Sequence, residues 1–195
     1  MPAEPLRVLM HVSNILDRLG ISYLTGGSIA SSIFGVPRAT QDIDLVVDLP
    51  QEKAKSFVEA MQSNFYIDSD AVMQAVRTRS SFNAIHFETV QKLDFFIQGQ
   101  SDYAIEEMRR RFKIPIDEAG QQTVFIASPE DIIMQKILWF RMGPGISERQ
   151  WNDVLGVIKV QGDRLDQRYL ARWAKILDIW DLVQKAFLEV EQLNS

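Results

Sequence analysis

Two aspartates one residue apart, Asp42 and Asp44, interrupt the apolar run IDLVVDL at the end of YLTGGSIASSIFGVPRATQDIDLVVDL, residues 23–49. In a strand, side chains alternate between faces, so Asp42 and Asp44 point one way while Ile43, Leu45 and Val47 point the other. Two carboxylates that close repel and raise each other's pKa unless a cation is near, which makes the pair costly as mere strand architecture. A divalent ion removes that cost. The chain has no cysteine and only two histidines, and hard oxygen ligands select Mg2+ or Mn2+ over zinc. A calcium-binding EF-hand loop is excluded, because its fifth position would be Val46 and its glycine and terminal glutamate are missing. A lone D-x-D more often just ends a surface strand, so its meaning rests on its surroundings.

Those surroundings begin with Gly26-Gly27-Ser28. Consecutive glycines after a strand and before a helix let backbone approach a phosphate, and the N–H groups of the helix start, with the Ser28 hydroxyl, can hold it. A third acid sits in QKLDFFIQG: Leu93, Phe95 and Ile97 share one strand face, leaving Asp94 on the other with Phe96. A carboxylate among apolar neighbours needs a metal or a donor. If its strand lies beside that of Asp42 and Asp44, three carboxylates meet in a pattern suited to two-metal phosphoryl chemistry, with the third acid able to take a proton.

The elements that must position these residues can be read from periodicity. Residues 5–19 predict a helix stopped by Gly20, ISYLTG a short strand, and SIASSIFG a helix with Ser28 as N-cap, ended by Gly35 and Pro37. IDLVVDL predicts a strand, 51–63 a helix, and 65–80 a short strand and a short helix. FNAIHFE and KLDFFI predict an antiparallel pair, followed by a helix over about 102–112. SPEDIIMQKILWFRMG predicts a helix with Ser128 at N-cap, Pro129 at N1 and Gly143 as its stop. A capping box at SERQ opens the next helix, which buries Trp151, Val154, Leu155 and Ile158. Residues 166–193 keep helical periodicity almost to the end. The expected division is an αβ portion at 1–127 and an all-helical portion at 128–195.

Together these residues resemble the DNA polymerase β-like nucleotidyltransferase superfamily: Gly26-Gly27-Ser28, thirteen intervening residues, Asp42-Ile43-Asp44, and a later lone strand aspartate, Asp94. RATQDIDL is similar to the R-x-T-x-D-h-D-h form of bacterial abortive-infection-type members, a group that includes toxins of toxin–antitoxin pairs. SPEDIIMQKILWF and ERQWNDV are similar to that group's helical half. The resemblance implies an α/β (α+β) nucleotidyltransferase fold, a mixed sheet flanked by helices with a C-terminal helical lobe. It implies metal-dependent transfer of a nucleoside monophosphate from an NTP to a hydroxyl on RNA (tRNA), protein or a small molecule, with Mg2+ or Mn2+ as cofactor and an antitoxin as partner. It assigns Asp42, Asp44 and Asp94 to metal and catalysis, and Gly26, Gly27, Ser28, Arg38 and Thr40 to the nucleotide. It places Lys136 at the phosphates. The group's basic residue before its final aspartate is Asn152 here, and Asp153 and Arg149 are left unassigned. Two other readings stay open: a non-catalytic nucleotide-binding protein of the same fold, and an aminoglycoside-type adenylyltransferase.

Independently of the resemblance, Lys136 lies on one helical stripe with Ile132 and Trp139, where a solvated lysine is not the default; snorkelling at the stripe's edge is the equal alternative. A net charge of -5 argues against diffuse attraction to nucleic acid or acidic membranes. No apolar run approaches the ~18 residues of a span, and with zero cysteines the expectation is a cytoplasmic protein. Four features read as ordinary structure. RRRFK at 109–113 reads as a cation-rich helix end, and His86 as a satisfied structural histidine with no second histidine near it. Trp139, Trp151, Trp173 and Trp180 read as core, and Ser31 and Ser32 as serines without a base.

Overall fold

A computed structural model describes residues 4–40, 42–117, 120–142 and 148–193. The expected stop at Gly143 and cap at Ser147 lie outside the described residues. The chain forms two compact units, one running up to Gly26 and resuming over Thr40–Ala127, the other made of Gly27–Ala39 and Ser128 onward.

The first unit is built on strands β1 (Ser22–Thr25), β2 (Asp42–Asp48), β3 (Phe65–Ile67), β4 (Ser81–His86), β5 (Lys92–Ile97), β6 (Phe112–Pro115) and β7 (Thr123–Ile126), in the spatial order β3-β4-β5-β2-β1-β7-β6. The sheet is mixed: β2 runs parallel to β5 and β1 parallel to β7, and the remaining pairs are antiparallel. Its helices are α1 (Glu4–Arg18), α3 (Gln51–Met61), α4 (Ser69–Thr78) and α5 (Asp102–Arg110), α2 belonging to the second unit. Gly20, at φ 59, closes α1 through bonds from Ile21 N–H to Leu16 and from Gly20 N–H to Asp17, the αL stop that a glycine accepts without a Cβ clash.

The alternation decides which side of the sheet is core. Ile43, Leu45 and Val47 of β2 and Leu93 and Phe95 of β5 are buried, together with Val12 and Leu16 of α1 and Phe57 and Met61 of α3. Phe57, Phe82 and Phe95 form an aromatic knot, with Phe82 and Phe95 stacked at 4.8 Å and Phe57 edge-on to Phe95 at 5.6 Å. A slip of one residue in β2 or in β5 would turn Ile43, Leu45 and Val47, or Leu93 and Phe95, outward and the aspartates inward, so packing on one face fixes the acids on the other.

The second unit is helical: α2 (Gly27–Phe34), α6 (Pro129–Met142), α7 (Glu148–Gln161), a 3-10 turn (Gly162–Arg164), α8 (Gln167–Ile176) and α9 (Trp180–Leu193). Just past the end of α2, Gly35 lies so near α7 that a Cβ there would stand 2.8 Å from the Val157 nitrogen. Bulk at Gly35 therefore drives α2 and α7 apart. Ser128 caps α6 as expected, accepting from the Asp131 N–H.

Four expectations are corrected. Ser28 is not the N-cap of α2: the helix opens at Gly27, whose φ is 56, so Ser28 already lies inside it and its hydroxyl has another partner. The periodicity over 166–193 conceals a break, because Asp178 adopts φ 55 and a nested pair of bonds, Ile179 N–H to the Ala174 carbonyl and Asp178 N–H to the Lys175 carbonyl, ends α8. Strands β6 and β7 are additional; four residues each are too few for periodicity to separate from loop, and their mutual pairing creates them. The fourth is the RRRFK cluster, which is split: Arg109 and Arg110 end α5, while Arg111 and Lys113 lie over the Phe125 ring at 4.6 Å and 5.0 Å. Among the described residues no helix is long and apolar enough to cross a membrane.

Candidate functional site

In the first unit the parallel register of β2 and β5 sets Asp42 opposite Lys92 and Asp44 opposite Asp94. Cross-strand partners share a face, so the three acids and Lys92 form a two-by-two block on the side of the sheet opposite the aromatic knot. Asp42 is exposed; Asp44 and Asp94 are half-buried. Lys92 Nζ donates to Asp94 Oδ2 at 2.9 Å. Its ammonium is held above the usual lysine range, first by that bond and further by the charges of Asp94, Asp42 and Asp44, against a smaller opposing effect of burial. Thr40 donates from its hydroxyl to the Asp42 carbonyl at 3.1 Å, and Gly26 N–H donates to the Asp44 carbonyl at 3.0 Å. Both bonds pin the backbone from which the acid side chains project.

The donors suit a hard divalent ion in kind, being carboxylates on one open face. Among the described residues, however, no three acids or histidines are gathered closely enough to hold an ion as they stand. Asp94 has its donor from the protein, Lys92, which alternation places two residues earlier on the same face.

In the second unit a different cluster forms around Asp153, whose side chain is 5% exposed. Arg38 grips it with two bonds, Nε to Oδ1 at 2.8 Å and Nη2 to Oδ2 at 2.9 Å, and the same Nη2 donates to the Ser28 hydroxyl at 2.6 Å. Lys136 Nζ donates to Asp153 Oδ2 at 2.8 Å from a side chain also 5% exposed. Burial pushes the Asp153 carboxyl up, but the bonds from Arg38 and Lys136 outweigh it and hold the group below the usual carboxylate range. Ser28, Arg38, Lys136 and Asp153 are thus one connected network, and Lys136 is not snorkelling. Asp153 could have been found from sequence: a lysine inside an apolar stripe requires a buried anion, and Asp153 is the acid flanked by the buried residues Trp151 and Val154 of α7.

Two further readings change. His86 is not remote from the second histidine: His11 of α1 lies 6.4 Å from it between ring centres, and His86 shares a 3.0 Å hydrogen bond with the Thr89 hydroxyl. His86 is buried on the core side of β4 with Phe82 and Ala84, so it does not face the acids. Of the tryptophans, Trp151 and Trp173 are core, Trp180 is half-buried, and Trp139 is 43% exposed on α6.

No family model and no curated protein matches the sequence. Solved structures match the fold. An antigenic nucleotidyltransferase-like protein from Paracoccidioides brasiliensis superposes with TM-score 0.56 at 19% identity, covering 96% of this chain and 94% of that one. The antibiotic-resistance factor ANT(2'')-Ia gives 0.59 at 16% identity over 95% and 99%. The lincosamide antibiotic adenylyltransferase LnuA, in its lincomycin-bound structure, gives 0.50 at 11% identity over 82% and 98%. At these identities the likeness is one of fold: the chain has the nucleotidyltransferase fold, a mixed sheet flanked by helices.

Proposed function

We propose that this protein is a metal-dependent nucleotidyltransferase that moves a nucleoside monophosphate from an NTP to a hydroxyl acceptor. The observation that carries the reading is the register of β2 and β5, which puts Asp44 beside Asp94 and Asp42 one step along, on the open face of a nucleotidyltransferase-fold sheet. In this reading Asp42 and Asp44 hold Mg2+ or Mn2+, and Asp94 completes the ligand set. A bound divalent ion neutralises the triphosphate and makes the acceptor hydroxyl more acidic.

The acceptor oxygen attacks the α-phosphorus, the bond between that phosphorus and the α–β bridging oxygen breaks, and pyrophosphate leaves with the electron pair. The hydroxyl proton passes to Asp94 Oδ1, since Oδ2 accepts from Lys92. The turn at Gly26 and Gly27, with the N–H groups opening α2, is assigned to the triphosphate. Support for that comes from Arg38, whose guanidinium bonds the Ser28 hydroxyl in the first turn of α2 and so brings positive charge where phosphates are expected. Lys136 supports it from behind, sharing Asp153 with Arg38. Thr40 serves by holding the Asp42 backbone.

For the acceptor, the resemblance to abortive-infection-type members favours tRNA, another RNA or a protein, in a cytoplasmic toxin that has an antitoxin partner. Near-full-length likeness to ANT(2'')-Ia, solved in a complex with adenylyl-2''-tobramycin, favours a small-molecule acceptor as the second reading. Incubation with each α-labelled NTP, Mg2+ and a total RNA and protein extract, alongside a panel of aminoglycosides and lincosamides, distinguishes them by which fraction carries label. Transfer that persists in Asp42→Ala and Asp44→Ala refutes the assignment. NTP binding by calorimetry with no pyrophosphate released from any acceptor would leave a binding protein of the same fold.

A further inference from the structure

We infer, on the basis of the nucleotidyltransferase reading above, that the acceptor is a sugar bearing adjacent hydroxyls and that Asn83 and Tyr66 recognise it. Rows of paired residues run across the open face of the sheet. In one row Gly26 N–H bonds the Asp44 carbonyl, Asp44 lies opposite Asp94, and Asp94 lies opposite Asn83. In the next, Asp42 is followed by Lys92, Ile85 and Tyr66. With the triphosphate assigned to the glycine turn, on the β1 side of the acids, the acceptor is left the other side, where β4 and then the edge strand β3 lie.

Beside the acids that side offers Asn83, Ile85 and Tyr66, all exposed and none charged. Cross-strand neighbours have Cβ atoms about 5 Å apart, which sets the Asn83 carboxamide next to Asp94, the acid assigned the acceptor's proton. A carboxamide both donates and accepts. One sugar hydroxyl gives its proton to Asp94 Oδ1 and its oxygen to the α-phosphorus, releasing pyrophosphate, while Asn83 holds the hydroxyl on the neighbouring carbon and exchanges no atoms with it. Tyr66 stands two strands away from Asp94, about 10 Å, within reach of the same ring or the next one along the acceptor. Its phenol and the Ile85 side chain are paired across β3 and β4 on the face opposite the core. They present a flat apolar surface on which the C–H face of a sugar ring can stack. A serine or tyrosine hydroxyl of a protein acceptor would leave both the carboxamide and this surface unmatched.

Periodate cleaves the bond between carbons that carry adjacent hydroxyls and leaves isolated hydroxyls intact. A total RNA and protein extract and a panel of aminoglycosides are each oxidised with it, quenched with sulfite, reduced with borohydride, and only then given the protein, Mg2+ and each α-labelled NTP. Label transfer seen in mock-oxidised samples is expected to be lost, and the fraction that loses it tells a free glycoside from the terminal ribose of RNA. With that acceptor, Asn83→Ala and Tyr66→Ala should each raise its KM about ten-fold, the cost of one hydrogen bond or one stacked ring, with the KM for the NTP unmoved. Both side chains are exposed, and unchanged thermal melts verify that the variants are folded. Undiminished transfer after periodate, or an unchanged acceptor KM in both variants, overturns the inference and leaves nucleotidyl transfer standing. No transfer from any NTP to any mock-oxidised sample overturns both.

Discussion

On the open face of the sheet an ammonium pairs with one of three neighbouring carboxylates; around Asp153 one carboxylate is shared by a guanidinium and an ammonium. The first cluster is half in solvent. The second is almost dry, and its carboxylate is satisfied by three bonds. Exposure lets the acids tolerate their mutual repulsion, because water screens it, and leaves them available to an incoming ion. Burial makes the Asp153 network rigid and costly to break. The difference separates a cluster suited to chemistry from one suited to holding side chains in place, although both contain residues of the same types.

The comparison breaks most visibly at Asp44. Asp44→Ala should reduce nucleotidyl transfer by about 10³-fold or more, the scale for removing a group on which charge compensation in the transition state depends. Its melting temperature should change far less than that of Asp153→Ala, because Asp44 is only half-buried. Chemical denaturation and label transfer on the same sample check the two halves. A large loss of stability with little loss of transfer would invert the roles of the clusters.

Asp153→Ala should behave the opposite way. Removing the shared anion strands Arg38 and a buried Lys136, and breaking a buried pair from one side costs about 3–5 kcal/mol. Urea denaturation measures it, and restoring a smaller part of the loss by the double variant Asp153→Ala with Lys136→Met would show that the stranded ammonium is the cause. Transfer measured well below the melting transition should fall less than in Asp44→Ala.

What could be read in the sequence divides along the same line. The acid face follows from local alternation in IDLVVDL and KLDFFI, and alternation needs no knowledge of distant residues. Even so, Lys92 escaped notice, because a lysine at a strand start has an ordinary solvated explanation; only the parallel register of β2 and β5 turns it into the neighbour of three acids. The lysine in an apolar stripe points to a buried anion near Asp153, but the rest of that network depends on contacts across 115 and 17 positions, and Arg38 as the third member is encoded in no local pattern. Likewise the helices with clear amphipathic stripes were legible, while β6 and β7 were not, since each is a strand chiefly by virtue of the other.

Acid pH should sharpen the contrast by a smaller amount. Because Asp153 is held below the usual carboxylate range in the folded protein, it binds a proton more readily when unfolded, so its pairing contributes fully above the ordinary carboxylate pKa of about 4. That contribution declines as pH falls through the lowered folded value. The stability gap between wild type and Asp153→Asn should therefore be constant from about pH 7 to pH 5 and narrow below about pH 4, as urea midpoints at each pH would record. A gap that widens in acid would mean that Asp153 is not the charged partner of Arg38 and Lys136.

The smallest effect lies at the turn that joins the motif's glycines to α2. Gly27 sits at φ 56, where a Cβ crowds the backbone, so Gly27→Ala should cost about 1–2 kcal/mol. The same change should raise the KM for the NTP if the N–H groups of this turn meet the triphosphate, because the added methyl narrows the approach of a phosphate to the backbone. Gly20→Ala supplies the control: it carries the same left-handed strain at φ 59 at the end of α1 and should lower stability by a similar amount with no change in KM. Equal KM shifts in both variants would assign the effect to strain alone and remove the glycine turn from the proposed phosphate contacts.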